Sequence, residues 1–235
     1  MTLAEIVQLV QSISVILAAF LAVYGFDAWR REHIGKRRIE LAEDVLALFY
    51  QASDAINQMR SPFGFAGEGG SRKQSPNENP NHKQALDSAY VLIERYGRHS
   101  ELFAKLHAIR YRFMAQLGTD KAAPFDAINK IVNELIVSAH EMAHINTFPA
   151  HSINKDNEKN YNEDWERVHG TYYASGDEKD PIAPRVKAAI AEMEDTCRGI
   201  IDSKGTLFSI INTRLRVPAV RAFRSIITKA SLTRE

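Results

Sequence analysis

Two histidines and a glutamate near the middle of the chain stand at the spacing of a zinc-peptidase helix. His140, Glu141 and His144 lie in the segment VSAHEMAHINTFPAH, residues 137–151, and form the pattern H-E-x-x-H. Two histidines four residues apart on a helix point the same way and can bind one tetrahedral metal ion. The glutamate would act as general base on the metal-bound water. The spacing therefore makes Glu141 a candidate catalytic residue, with His140 and His144 as candidate zinc ligands.

Such a site needs a third protein ligand, and the sequence offers an incomplete choice. In the extended pattern H-E-x-x-H-x-x-G-x-x-H, Thr147 and Ala150 replace the glycine and the last histidine, and His151 lies one residue late. A glutamate from a following helix is the other usual ligand, and Glu163 and Glu166 lie at a suitable distance downstream. We predict that the motif is structural and that the protein holds no metal or cofactor. Zinc bound by the two histidines and Glu163 is the alternative.

Composition argues against several other classes of function. The 235 residues carry 30 lysines and arginines against 29 acidic residues, whereas a nucleic-acid-binding domain usually has a strong basic excess. We therefore expect no nucleic-acid partner. The single cysteine, Cys197, cannot form an internal disulfide and lies in a helical pattern, which predicts a small core residue in a reducing compartment. The segment GFAGEGGSRK, residues 64–73, lacks the spacing and the preceding strand of a phosphate-binding loop.

A long uncharged stretch near the N-terminus predicts a membrane anchor. Residues 6–26, IVQLVQSISVILAAFLAVYGF, contain no charged side chain and match the roughly 20 residues that a helix needs to cross a bilayer. Positive charge collects on the cytoplasmic flank of a membrane helix. Before the stretch, the one charged side chain is that of Glu5, and there is no lysine or arginine. We predict a single pass through the inner membrane, with the N-terminus outside and the C-terminal region in the cytoplasm. The membrane-flanking residues are Arg30, Arg31, Lys36, Arg37 and Arg38.

Two other interpretations of the same stretch stay open. A cleaved signal peptide would have a basic start, a shorter apolar run and a small-residue cleavage site. A buried helix of a soluble protein would explain the polar residues Gln8, Gln11, Ser12 and Ser14 in the first half. The length of the run favours the anchor over both, because apolar runs of this length are uncommon in soluble domains.

Small side chains recur at every fourth position of the anchor. Ser14, Ala18 and Ala22 form a small-xxx-small stripe, which lets two membrane helices approach closely. We expect the stripe to support self-association. The alternative is that these small residues reflect the ordinary composition of membrane helices.

Apolar residues recur every three or four positions along the rest of the chain and nowhere alternate as in a strand. This pattern predicts an all-α fold, in which the anchor continues into a cytoplasmic bundle of about five helices. Two helices are predicted at 84–97 and 101–117, with Ser100 as the N-cap of the second. A third has its inner face within 128–142, and another begins at Asp180-Pro181. The polar stretch 150–179 breaks the pattern, although Trp165, Tyr172 and Tyr173 indicate that part of it packs.

The predicted organisation has three regions: an anchor at 1–28, a helical bundle at 29–204 with a flexible loop at 61–83, and a basic amphipathic tail at 205–235. The tail carries six arginines and lysines, and its apolar side chains share one face of a helix after Pro218. Such a helix lies either on the anionic inner leaflet or in the bundle as its last member, and both positions stay open.

Several stretches resemble a group of uncharacterised bacterial proteins that have one N-terminal membrane helix and a helical cytoplasmic region. These stretches are AWRREHIGKRRIELAEDVLALFYQASDAI, RSPFGFAGEG, RYRFMAQLG and DPIAPRVKAAIAEMEDTCR. The resemblance covers most of residues 10–200. It implies the same arrangement for this chain and no catalytic or binding residue.

The sequence as a whole favours an interaction protein over an enzyme. We predict a membrane-tethered, self-associating helical scaffold that binds a further protein partner and has no catalytic activity. A membrane-anchored zinc-dependent metallopeptidase that uses HEMAH at 140–144 is the alternative.

Overall fold

The computed structural model describes residues 3–147, 158–176 and 179–202, and within these ranges the fold is all-helical without a strand. The all-α prediction is therefore confirmed, and five α-helices follow one another along the described part of the chain. The predicted tail, 205–235, and His151 lie outside the described residues. The helices are α1 (Leu3–Met59), α2 (Lys83–Leu117), α3 (Ala123–Thr147), α4 (Glu158–Tyr172) and α5 (Ala183–Ile201), with short 3-10 turns at Pro80–His82 and Thr119–Lys121.

Residues Leu41–Arg198 form one compact unit, and the part of α1 up to Glu40 belongs to another. The predicted anchor boundary at residue 28 is a change of composition within the continuous α1. In the compact unit, the apolar stripes predicted from the sequence face inward. Phe49 of α1 and Phe113 of α2 both pack edge-on against Phe125 of α3, with ring centroids 5.0 and 5.4 Å apart. Cys197 is fully buried in α5, as predicted.

The structure corrects the prediction of two helices at 84–97 and 101–117, because α2 runs without a break from Lys83 to Leu117. Ser100 is therefore not an N-cap. Its hydroxyl donates a hydrogen bond to the Gly97 carbonyl one turn earlier, at 2.8 Å. Neither residue ends the helix, since a single exposed glycine costs only about 1 kcal/mol against alanine.

The polar stretch 150–179, which has no helical pattern in the sequence, contains α4. Of the α4 side chains whose burial the structure describes, only Val168 and Tyr172 are fully buried. The Tyr172 hydroxyl donates to the carbonyl of Ser88 on α2 at 2.9 Å, and burial raises the pKa of this phenol. These two side chains fix α4 to the core, in agreement with the prediction that part of the stretch packs.

Arg60, just after α1, joins three elements through a fully buried side chain. Its guanidinium donates to the carbonyls of Gly170 and Thr171 in the last turn of α4 and of Tyr173 just after it, at 2.8–2.9 Å. It also pairs with Asp180 at 2.9 Å. Asp180 in turn accepts hydrogen bonds from the amides of Ile182 and Ala183, at the start of α5, at 2.8 Å each, so the predicted helix start at this aspartate is confirmed.

Burial alone would raise the pKa of Asp180, but Arg60 and the amides at the start of α5 outweigh it and hold the pKa below its ordinary value. The aspartate therefore stays ionised as the partner of Arg60. One buried pair thus fixes the end of α1, the end of α4 and the start of α5.

Candidate functional site

The N-terminal part of α1 presents apolar side chains on every side. Residues 11–27 are all exposed, and their large members include Ile16, Phe20 and Val23 with exposed fractions of 69%, 69% and 72%. Among the described residues, α1 is the one helix that is long and apolar enough to cross a membrane. Contiguous apolar surface of this extent on a soluble protein usually marks a contact with lipid or protein.

The small-residue stripe lies on this exposed segment. Ser14, Ala18 and Ala22 are each one turn apart on α1, and all three are exposed. Small side chains in this register leave a shallow strip along the helix into which a second helix can pack closely. The five basic residues follow on the same helix, from Arg30 to Arg38, and all are exposed. Arg31 forms an ion pair with Asp27 one turn earlier.

The H-E-x-x-H motif lies in the second half of α3, on its outer side. His140 and His144 are exposed, whereas Ala139 and Met142 beside them are buried. Glu141 points toward α4, where its carboxylate pairs with Arg167 at 3.1 Å. Arg167 also pairs with Asp164 at 3.2 Å. The candidate general base therefore takes part in an ion pair between two helices.

The proposed third ligand is not brought to the motif. Glu163 is exposed on α4 and pairs with Lys159, one turn away at 3.8 Å; Glu166 is exposed as well. Within the described ranges, no group of three histidine, cysteine, aspartate or glutamate side chains is placed to hold a metal ion. The geometry offers two exposed imidazoles without a third donor, so zinc chemistry has no assembled site among these residues.

Comparisons with family models, with curated proteins and with solved structures found no match. The resemblance to bacterial proteins with one membrane helix therefore stays a prediction. The function of the chain has to be argued from its own residues.

A cluster of buried charge, which the sequence prediction missed, holds the loop between α1 and α2. Arg95 of α2 is 6% exposed and donates to the carbonyls of Ser61 and Phe63 at 2.7 Å each. It also pairs with Glu68 at 2.6 Å. Arg98 reaches the other oxygen of Glu68 at 3.1 Å. The loop predicted to be flexible is thus tied to α2 by its own carboxylate.

Further along the loop, Gly69 lies against the backbone of α2. Its φ is +84°, and a Cβ at this position would overlap the Asp87 carbonyl oxygen. Its amide donates to Glu94 at 2.9 Å. Arg72 then pairs with Asp87 at 2.8 Å and with both oxygens of Glu78 at 2.7 Å. Only glycine combines this φ with so close an approach.

The contacts with Arg95 and Arg98 shift the pKa of the Glu68 carboxyl group. The hydrogen bond from Arg95 lowers the pKa of Glu68 to about 2, although burial acts in the opposite direction. Glu68 is therefore a carboxylate at every pH at which the protein is expected to work.

A signal for this cluster of buried charge was present in the sequence. Arg95 follows Ala89 and Leu92 at three-residue steps and so interrupts the apolar stripe of its helix, as a buried, paired charge does.

Proposed function

We propose that this protein is a membrane-tethered, self-associating interaction protein without catalytic activity. Residues 6–26 would anchor it, and the helical unit Leu41–Arg198 would present a surface to a protein partner in the cytoplasm. The observation that carries the proposal is the apolar segment of α1, in which every residue from 11 to 27 is exposed.

The exposure of this segment supports the anchor over a buried soluble helix. A core helix would cover its isoleucines, phenylalanines and valines against neighbouring elements, as α3 does with Ile128, Ile131 and Leu135. In the first part of α1 the side chains of this kind remain exposed on all sides. Hydrocarbon is the environment in which such a helix needs no further partner, because its backbone is hydrogen-bonded internally.

The basic flank supports the proposed orientation. Five exposed basic residues between Arg30 and Arg38 follow the apolar segment, and lysines and arginines near a membrane helix favour the cytoplasmic side. Placement in a bacterial inner membrane rests on the resemblance described above. The absence of an assembled zinc site in the described residues gives the peptidase alternative no supporting observation.

Membrane fractionation tests the anchor directly. We expect the full-length chain to sediment with membranes, to resist extraction by high salt and alkaline carbonate, and to be released by detergent. A chain that stays in the supernatant after lysis without detergent would remove the proposal. Retention in the supernatant after Leu17→Arg, with the wild type in the membrane, would show that the apolar segment is responsible.

Self-association is tested on the small-residue stripe. Ala18→Leu adds bulk in the strip where two helices would meet, so we expect it to weaken the oligomer measured by energy transfer between labelled full-length chains in bilayers. Ala19→Leu is the matched control, since the same change points about 100° away from the stripe. Equal effects of the two variants would place the contact elsewhere.

A further inference from the structure

An apolar groove runs between α1 and α2 on the outside of the compact unit. Its volume is about 550 Å³. Ala47 and Leu48 of α1 and Ala108 and Ile109 of α2 form its floor, while the ends are polar or charged. Ala47 and Ala108 are exposed, and the two larger side chains are half-buried. Apolar side chains at the same helical register on two neighbouring helices leave a strip suited to helix packing.

The two walls of the groove repeat one pattern. On α1 the lining residues are Asp44, Ala47, Leu48 and Gln51, and on α2 they are Lys105, Ala108, Ile109 and Arg112. Each set follows the spacing i, i+3, i+4, i+7, with an alanine and a larger aliphatic residue in the middle. One wall carries a negative charge and the other carries two positive charges.

The helices that form the walls run in opposite directions. Arg95 in the first half of α2 contacts the carbonyl of Met59 at the end of α1, at 3.4 Å. Farther along, Phe49 and Phe113 meet on Phe125. Asp44 and Arg112 therefore lie at one end of the groove, and Gln51 and Lys105 lie at the other.

The charges at the first end have no partner within the described part of the chain. Asp44 and Arg112 are exposed, and neither forms an ion pair or hydrogen bond there, whereas most other arginines of the unit do. Lys105, at the other end, has only an exposed pair with Glu101. An apolar strip flanked by unpaired opposite charges is complementary to a second copy of itself.

We propose that this groove binds a second copy of the chain, with α1 of each copy packed against α2 of the other. The inference rests on the proposed self-association and gives it a contact outside the anchor. Relating the copies by a twofold axis along the groove places Asp44 of each opposite Arg112 of the other, and Ala47 opposite Ala108. Two such ion pairs then flank a continuous apolar centre, and the interface is isologous.

The charges select this axis over the other twofold arrangement. An axis across the groove would set α1 against α1 and α2 against α2, with ends exchanged. Arg112 of one copy would then face Lys105 of the other, and Asp44 would face an uncharged Gln51. Like charges that face each other across an interface disfavour it, so the axis along the groove is preferred. In this arrangement α1 of one copy runs in the same direction as α1 of the other.

Cysteine cross-linking in full-length chains tests the arrangement. Chains carrying Ala47→Cys and differently tagged chains carrying Ala108→Cys are produced together and oxidised in membranes. We expect a disulfide between Cys at position 47 of one chain and Cys at position 108 of the other, seen as a product that carries both tags. Native Cys197 is fully buried, and burial raises the pKa of its thiol to about 11, so it should not compete. Ala104→Cys replaces Ala108→Cys in the control, because Ala104 lines a different cavity on the α3 side.

Each cross-linking outcome decides the proposal. A product between the 47 and 108 positions that is several-fold more abundant than the product with Ala104→Cys supports it. Abundant cross-linking of Ala47→Cys chains with one another, without the mixed product, would assign the groove to the other axis and overturn the proposed pairing. No product above the control, from chains that still form an oligomer, would place the oligomer contact outside this groove.

A charge exchange between copies provides the second test. Asp44→Arg alone and Arg112→Asp alone each set two like-charge pairs in the homodimer, so we expect dimer affinity to fall about tenfold. Mixing chains that carry Asp44→Arg with chains that carry Arg112→Asp sets opposite charges at both contacts again, so the heterodimer should recover wild-type affinity. Pairing within one chain cannot give this rescue. If neither single variant changed the dimer affinity, the proposal that the groove is the dimer contact would be wrong.

Failure of the inference can be told apart from failure of the proposed function. A wild-type chain that is monomeric at every density in the bilayer would remove self-association altogether. An oligomer that is weakened by Ala18→Leu and unaffected by Asp44→Arg would support the proposed function. It would contradict only the proposal that the groove is a contact between copies.

Discussion

At the scale of single residues, the compact unit depends on two buried arginines rather than on any catalytic group. Arg95 donates to the carbonyls of Gln58 and Met59 at the end of α1 and holds the following loop through Glu68. Carbonyls in the last turn of a helix have no partner within it, so a guanidinium with five donors can satisfy several at once. The first part of the loop between α1 and α2 is therefore held largely by one side chain.

Arg95→Met should destabilise the unit by about 3 kcal/mol, because it leaves the Glu68 carboxylate and several carbonyls without their main donor. We expect a lower urea midpoint in mild detergent and faster proteolytic cleavage within residues 61–83. Arg98→Met is the control. Its side chain is 52% exposed, so its loss should cost at most about 1 kcal/mol. Equal costs for both variants would contradict the role given to Arg95.

Glu68 should make stability depend on pH in acid. Its pKa is lowered from an ordinary 4.5 to about 2 in the fold, so its contribution is complete above about pH 4.5 and is lost as the pH falls toward 2. The difference in free energy of unfolding between wild type and Glu68→Gln should therefore shrink as the pH falls from about 5 to about 2. Glu43→Gln, on the exposed face of α1, should change stability by less than about 0.5 kcal/mol.

The zinc motif yields a prediction at the same scale. His140 and His144 are exposed, Glu141 pairs with Arg167, and Glu163 lies beside Lys159. Protein purified without chelator should therefore contain well below one zinc per chain by elemental analysis, with no change in His107→Ala. Stoichiometric zinc that disappears in both His140→Ala and Glu163→Ala would contradict this and favour the peptidase.

At the scale of elements, the continuity of α2 through Ser100 is the clearest departure from the sequence prediction. Serine is a common N-cap, and the apolar pattern weakens around Gly97, so a break was the natural interpretation. In the structure the serine hydroxyl bonds back to the preceding turn, as serines inside helices do. Packing of both halves against the rest of the unit holds the helix together across this weak point.

Ser100→Ala separates the two interpretations. Loss of an N-cap would cost about 1 kcal/mol, whereas alanine inside a continuous helix should be neutral or stabilising by up to about 0.5 kcal/mol. We expect the second result in thermal unfolding followed by circular dichroism. Ser100→Pro should cost about 3 kcal/mol or more, because it removes a hydrogen bond inside the helix.

The elements that the sequence predicted well are those with a strong apolar stripe. The inner face of α3 is buried as predicted, and so is Cys197 of α5. α4 was missed because only Val168 and Tyr172 enter the core, which is too few to produce a helical period. The ion pairs of Arg60 and Arg95 could not be predicted, since their partners lie 120 and 27 residues away in sequence.

At the scale of the whole molecule, the charge around the apolar segment should decide orientation. Replacing Arg30, Arg31, Lys36, Arg37 and Arg38 by glutamine removes the positive flank, so a fraction of chains should insert with the C-terminal region on the opposite side. Protease digestion of a C-terminal tag in intact cells and in inverted membranes measures that fraction. Replacing the four arginines by lysine keeps the charge and should leave orientation unchanged. An unaltered topology in the glutamine variant would remove the charge argument.

The buried pair between Arg60 and Asp180 has a consequence for biosynthesis. The two residues are 120 positions apart, and ribosomes add about 5–20 residues per second, so Asp180 is made about 6–24 s after Arg60. During that interval the guanidinium has neither its carboxylate nor the carbonyls of α4, and it cannot be buried without them. The unit Leu41–Arg198 must therefore close after α5 is synthesised. Nascent chains stalled before residue 180 should bind chaperones, and those stalled well beyond residue 198 should not.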